Sequence, residues 1–290
     1  MAASSANPIR ERIHLSFLSA IFLGIIQGVT EFLPISSSGH LAVLQNIFHM
    51  QTAEGHVFFD VLLHLGTTVA IIAAYWKDIV YVIRDSVGLI RETRLPVSQP
   101  RQAHLGARLL MMLFFGTLPL FLILPVHDMV EELYYNTGFI GAAFLITGCI
   151  LFISDRMPRG RKNERTMRIL DALIIGAAQA IATIPGISRS GSTITAGLAT
   201  GHTRGYSMKY SLLLSVPAVL GANLLSFIKA LKGGVDWSYL PEYLVGMLFA
   251  MVVGYFSIVL LQRILKNGKF GKFAYYLWGV GIFTLIASLF

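Results

Sequence analysis

The sequence predicts an all-α polytopic membrane protein, with six transmembrane helices plus two re-entrant helical hairpins that form an inverted repeat. Three observations carry that prediction. Of 290 residues, 55% are hydrophobic and only 13% charged, where a soluble domain carries about a quarter charged residues. The basic residues gather in short loops between apolar segments. Two apolar segments broken by Pro and Ser resemble each other. The composition excludes disorder, a coiled coil and an ordinary soluble enzyme. At about 20 residues per span, the chain has room for six to eight crossings. It reads as one membrane domain, 1–290, with no stretch polar enough to form a separate soluble unit.

The elements follow in order. Arg10 and Arg12 precede an apolar run that starts near Leu15, the pattern of a secretory signal. No small-residue cleavage site ends that run, so the segment is expected to be retained. The run continues to Phe48, broken by Pro34 and a Ser-rich turn, and reads as the first hairpin. Three predicted spans follow, at Phe58 to Trp76, Ala107 to Val126 and Thr137 to Ser154. A second broken stretch covers Ala172 to Thr200, interrupted at Pro185-Gly186 and by another Ser-rich turn. The last three spans run from Tyr206 to Ala230, Tyr243 to Gln262 and Ala274 to Phe290.

Charge sets the orientation. The net charge is +8, with 23 Lys and Arg. Six of these lie between Lys77 and Arg108, six between Arg156 and Arg168, and four between Arg263 and Lys272. Such loops face the cytoplasm, whereas His127 to Asn136 carries Asp128, Glu131 and Glu132 and no Lys or Arg. The C-terminus and the segment before Phe58 then lie outside. No basic face with interleaved aromatics appears, so nucleic acid is not an expected partner. Cys149 is the single cysteine, which excludes an internal disulfide and a cysteine-cluster metal site.

Laying Gly24–Gly39 over Gly176–Gly191, a constant offset of 152 (176 − 24), needs no gap. Gly24, Gln27, Ile35, Ser36, Ser38 and Gly39 recur as Gly176, Gln179, Ile187, Ser188, Ser190 and Gly191. A Gln and two serines repeated inside apolar sequence mark an internal repeat, with halves of approximately 15–154 and 172–290. The predicted topology brings one hairpin in from each face, and inverted repeats of that kind build a site near the midplane. Irregular backbone at that depth must be buried in protein or line a wet cavity. The hairpins are therefore expected to meet at a polar pocket, with Glu31 and Arg189 at salt-bridge or metal-bridged distance.

Ionisable groups in apolar sequence are rare and expensive. Here they are Glu31, His40, Asp60, His64 and Arg189. Gln27 and Glu31, four residues apart, share a helix face, and their oxygens suit a hard cation such as Mg²⁺ or Ca²⁺ whose shell is completed by phosphate. Gln27 bonding a neighbouring helix is the plainer alternative. Pro185 to Thr193 combines glycines, hydroxyls, amide N–H groups and one guanidinium fork, which suits a phosphate. His40, after Ser36-Ser37-Ser38-Gly39, is a candidate general acid, base or nucleophile. Ser37 or another first-turn hydroxyl is the competing nucleophile. Asp60 and His64 read as supporting or structural, and His49, His56, His104, His127 and His202 receive no role.

Gln27 to Pro34, followed by Ser36-Ser37-Ser38-Gly39-His40, resembles the (E/Q)xxxE motif of the bacterial undecaprenyl-diphosphatases. Pro185 to Thr193 is similar to their second motif, PGxSRSxxT, and the likeness covers nearly the whole chain. Gln27 stands where many members have Glu, which leaves one carboxylate in the pair. The resemblance implies six spans, two inverted re-entrant hairpins and a divalent-cation-dependent phosphatase. That enzyme would hydrolyse undecaprenyl diphosphate to the monophosphate carrier and inorganic phosphate, serving peptidoglycan synthesis and bacitracin resistance.

Arg189 is then expected to hold the terminal phosphate with Ser188, Ser190, Thr193 and Ser36. Glu31 and Gln27 would hold the cation, and His40 or Ser37 would attack or activate water. The expected setting is the bacterial inner membrane, with the site opening to the outer face. The isoprenoid diphosphate and membrane lipids are the expected partners, and a homodimer is compatible with the sequence. A secondary transporter or flippase of a phosphorylated lipid is the alternative. The hydroxyl-and-His cluster beside Arg189, which binding alone would not require, separates the two.

Overall fold

A computed structural model describes residues 15–47, 57–92, 104–266 and 270–289 of the chain. Arg10, Arg12, His49 and His56, and with them the retained N-terminal segment, lie outside the described residues in whole or part. Among the described residues the regular structure is helical, without strands.

Helix α1 (Phe17–Phe32) starts where Ser16 Oγ accepts from the Ser19 amide at 3.1 Å. That cap satisfies a donor the first turn leaves open. After the turn at Pro34 comes α2 (Ser37–Ile47), and the two form the first hairpin. Helix α3 (Val57–Ala74) is followed by α4 (Trp76–Glu92), turned by 73° from it. The bend falls where the sequence changes from apolar to charged at Lys77. Helix α5 (Leu105–Thr117) continues as 3₁₀ turns over Leu118–Val126, then α6 (His127–Glu132) and a 3₁₀ turn at Leu133–Tyr135. The stretch read as a loop from His127 to Asn136 is therefore largely helical, and Pro119 and Pro125, which lack amide donors, mark the part that winds as 3₁₀.

Helix α7 (Thr137–Ser154) is capped by Asn136, whose Oδ1 accepts from the Phe139 amide at 2.9 Å. The second hairpin consists of α8 (Ile169–Ile181) and α9 (Arg189–Ala199). Then come α10 (Arg204–Gly233), α11 (Leu240–Lys266) and α12 (Lys272–Ala287).

Among the described residues four helical stretches are long and apolar enough to cross a bilayer: Leu105–Tyr135, Thr137–Ser154, Arg204–Lys232 and Trp237–Leu265. The bent pair α3 and α4 makes a fifth when taken as one span. The remaining predicted crossing, α12, is 16 residues long. At 1.5 Å per residue it reaches about 24 Å, short of a hydrocarbon core of about 30 Å.

The hairpins are seated by glycine contacts that recur at the repeat offset. Helix α1 packs on α11 and α8 packs on α5. A Cβ on Gly24 would strike the carbonyl oxygen of Gly246, and a Cβ on the equivalent Gly176 would strike that of Gly116. Both crossings therefore need a residue without a side chain. Between the hairpins stands α7, whose Phe144 lies against Gly39 and whose Leu151 lies against Gly191. Phe32, Phe144, Leu151 and Tyr210 are fully buried and anchor the core beneath the hairpin tips.

Candidate active site

The two hairpin tips are built alike. Ser36 Oγ accepts from the Gly39 amide at 3.3 Å, and Ser188 Oγ accepts from the Gly191 amide at 3.1 Å. Each cap hydroxyl also lies beside the next repeated serine, Ser38 at 3.4 Å and Ser190 at 3.3 Å. One difference is conformational: Ser36 adopts φ 68°, in the left-handed region, whereas the second tip places Gly186 there at φ 89°. A non-glycine residue in that region carries strain of the order of 1–3 kcal/mol. The tips touch through backbone, since a Cβ on Gly39 would lie 2.8 Å from Gly186 Cα.

Thr147 on α7 holds the second tip. Its Oγ1 donates to the Gly186 carbonyl at 2.9 Å and accepts from the Ser188 amide at 3.2 Å. The polar backbone of the broken helix is thereby satisfied inside the apolar interior, as it must be there. Ser190 Oγ reaches across to the Leu33 carbonyl of the first hairpin at 3.4 Å.

Glu31 is the hub. Its side chain is 3% exposed and its Oε1 forms an ion pair with Arg189 Nη2, 158 positions away. The expected meeting of the two hairpins is thus a direct contact. Oε2 accepts from Ser37 Oγ at 2.5 Å and from Gln27 Nε2 at 3.0 Å. His64 Nε2 stands 3.9 Å from the same oxygen, its ring fixed by Nδ1 against the Asp60 carbonyl at 2.8 Å. A buried carboxylate is costly unless paired and hydrogen-bonded, and here one cation and two donors supply that.

Beside this pair opens a cleft lined by Glu31, Phe32, Arg189, Ser190, Ser211, Leu212 and Ser215. Arg189, whose side chain is 25% exposed, is among the cleft-lining residues. Thr193 Oγ1 lies 2.5 Å from Ser211 Oγ on α10 and donates to the Arg189 carbonyl at 2.8 Å. A guanidinium, hydroxyls and two apolar side chains line this small cleft of about 10 Å³, a set of groups that suits an anion.

Of the sequence-predicted residues, the structure gathers Gln27, Glu31, Ser37 and Arg189 into one network, with Ser188, Ser190 and Thr193 around the second tip. His40 is elsewhere engaged. Its Nδ1 lies 2.8 Å from the Ser36 carbonyl and its Nε2 2.9 Å from the Tyr276 hydroxyl. It packs on Phe144, and neither His40 nor Ser37 is among the cleft-lining residues. Thr147, Ser211 and Ser215 were missed by sequence reasoning, because a single hydroxyl in a long apolar helix reads as packing.

For a cation, the informative atom is Gln27 Oε1, buried and without a hydrogen-bond partner on the amide whose Nε2 donates to Glu31. Among the described residues no group of three or more His, Cys, Asp or Glu could hold a metal. A cation held at Glu31 and Gln27 Oε1 would complete its shell with oxygens from outside the protein.

Residues 20–283 match the family described as bacitracin resistance protein BacA. The chain belongs to this family. It is 38% identical over 278 residues to an undecaprenyl-diphosphatase of Carboxydothermus hydrogenoformans, covering 94% of this chain and 97% of that one. One from Methanosphaera stadtmanae is 38% identical, covering 95% and 99%. Undecaprenyl-diphosphatase 3 of Bacillus cereus is 37% identical, covering 94% and 97%. Membership, with the long apolar helices, makes this BacA-family chain a multi-pass membrane protein.

Proposed function

We propose that the chain is an undecaprenyl-diphosphatase, which hydrolyses undecaprenyl diphosphate to undecaprenyl phosphate and inorganic phosphate and so recycles the lipid carrier of cell-wall synthesis. The observation that carries this reading is the Glu31–Arg189 pair bridging two hairpin tips at the edge of a hydroxyl-lined cleft. Hydrolysis of a phosphoanhydride asks a protein for positioning and charge neutralisation above all. Arg189 holds the terminal phosphate, with Ser190, Ser211 and Ser215 along the wall. Phe32 and Leu212 face the first isoprene unit, and the tail stays in lipid. The Ser37 hydroxyl, which donates to Glu31, is the candidate group for activation, with Glu31 taking its proton. His40 sets the start of α2 through Ser36 and Tyr276. Glu31 and Gln27 Oε1 are the residues that would hold a divalent cation, which when bound neutralises phosphate charge.

The membrane reading is six spans, counting α3 and α12, with both hairpins re-entrant and the basic loops inside. The paired caps and the paired glycine crossings at offset 152 support an inverted repeat of halves 15–154 and 172–290. The setting is the bacterial inner membrane, with the cleft opening outward.

The test is phosphate release from undecaprenyl diphosphate by purified, detergent-solubilised protein across a Mg²⁺ and Ca²⁺ titration. Wild type should release phosphate only with cation present. Glu31→Gln should need far more cation or fall about 100-fold in kcat. No release by wild type at any cation concentration would overturn the reading.

A further inference from the structure

Helix α4 turns by 73° away from α3. Where α3 crosses a bilayer, α4 therefore runs along its surface. Side chains are sorted around α4. At 100° per residue Trp76, Val80, Ile83 and Val87 fall in one stripe, and Trp76 is 59% and Ile83 56% exposed. Beside that ridge Lys77, Arg84 and Arg91 form a row at seven-residue spacing, all exposed. Among the described residues none of the three has an ion-pair or hydrogen-bond partner.

The acids of α4 are treated oppositely. They also recur every seven residues, as Asp78, Asp85 and Glu92, and each is neutralised inward. Asp78 pairs with Lys209 of α10 at 2.6 Å. Asp85 pairs with His104 at 2.9 Å and accepts from the Gly106 and Ala107 amides at 2.6 and 3.1 Å. Glu92 meets the other His104 nitrogen at 3.0 Å. The exposed face of α4 thus keeps its cations and has lost its anions to the protein interior.

An apolar ridge edged by free cations fits an interface of acyl chains and phosphates. Two of the three cations are Arg, the side chain suited to bidentate phosphate contact. A second copy fits poorly, because a two-fold contact would set this basic row against itself. We propose that the exposed face of α4 binds anionic phospholipid. Trp76, Val80, Ile83 and Val87 rest at the acyl boundary, while Lys77, Arg84 and Arg91 take headgroup phosphates. The inference rests on α3 crossing the membrane and is independent of the chemistry at Glu31 and Arg189.

The experiment counts lipid bound to the full chain by native mass spectrometry, titrating phosphatidylglycerol and phosphatidylcholine separately at low and high salt. A cation near an anionic surface is worth about fivefold in affinity. Wild type should prefer phosphatidylglycerol by at least about tenfold at low salt, and less as salt screens the row. Lys77→Gln/Arg84→Gln/Arg91→Gln should lose that preference while keeping phosphatidylcholine binding and the wild-type level of phosphate release. If the triple variant does not fold, Arg84→Gln should cost about fivefold in preference and Arg84→Lys should restore most of it. Equal binding of the two lipids by wild type, or an unchanged preference in the variants, would overturn the proposal. A change in oligomeric state without a change in lipid preference would also overturn it. Phosphate release is read separately, so its absence leaves the lipid result interpretable.

Discussion

Breaking the Glu31–Arg189 pair from its two ends should cost unequal amounts. The Glu31 side chain is 3% exposed and that of Arg189 25%. Arg189→Gln leaves a buried carboxylate with the neutral donors Ser37 and Gln27 and with His64 only at 3.9 Å. Removing one partner of a buried ion pair costs about 3–5 kcal/mol, mostly through the charge left behind. Glu31→Gln instead leaves a guanidinium that can turn to water. The new amide can keep its oxygen on Arg189 and donate to Ser37. Gln27 can flip so that its unpartnered Oε1 accepts the second amide hydrogen. The remaining loss is that of a charged hydrogen bond, about 1–3 kcal/mol. Denaturant unfolding of both variants and the double variant in detergent checks this. Arg189→Gln should be the less stable by about 2 kcal/mol, and the double variant should lose less than the sum of the two single losses. Equal losses, or strict additivity, would refute the argument that the pair is one buried unit.

The seating of the hairpins gives a second expectation. Gly24→Ala and Gly176→Ala should each cost about 1–3 kcal/mol by overpacking against a carbonyl oxygen. Gly221→Ala, with nothing within 4 Å of the new carbon, should cost nothing in the same unfolding assay. The junction of α4 and α5 gives a third, in its pH dependence. The close contact with Glu92 and the hydrogen bond to Asp85, together with the charge of both carboxylates, hold His104 above its ordinary value. A raised value in the folded state means stabilisation fully present below about pH 6.5 and lost as pH rises through the raised value. Hydrogen exchange at the α5 N-terminus should therefore speed up above that ordinary value beyond the intrinsic pH effect. His104→Gln should remove the pH dependence.

Much of the site was legible because it obeys local periodicity. Gln27 and Glu31 are four apart in apolar sequence, which alone puts them on one helix face, and they do bond each other. Ser36 with Gly39 and Ser188 with Gly191 were visible as a repeat, and they form matching caps. The broken hairpins followed from Pro34 and from Pro185-Gly186. What escaped depends on tertiary neighbours. Thr147, Ser211 and Ser215 gain their roles only from where α7 and α10 pass the tips. The surroundings of His40 and His64 are likewise not encoded by spacing: the Tyr276 hydroxyl lies on His40 Nε2, and His64 Nε2 stands 3.9 Å from Glu31. The helical path from His127 to Tyr135, in which no residue is buried, was hidden behind a loop-like composition.

The central claim is that the two hairpin tips form one phosphate site whose cationic fork is Arg189. Its most direct test is phosphate release from undecaprenyl diphosphate by Arg189→Lys beside wild type, with binding of the lipid followed in parallel. Lysine keeps the charge and loses the planar pair of donors. Turnover should fall about 100- to 1000-fold, the range for losing a positioned donor to a charged transition state, with the variant still folded. Turnover within a few-fold of wild type would contradict the claim and remove Arg189 from the reacting phosphate.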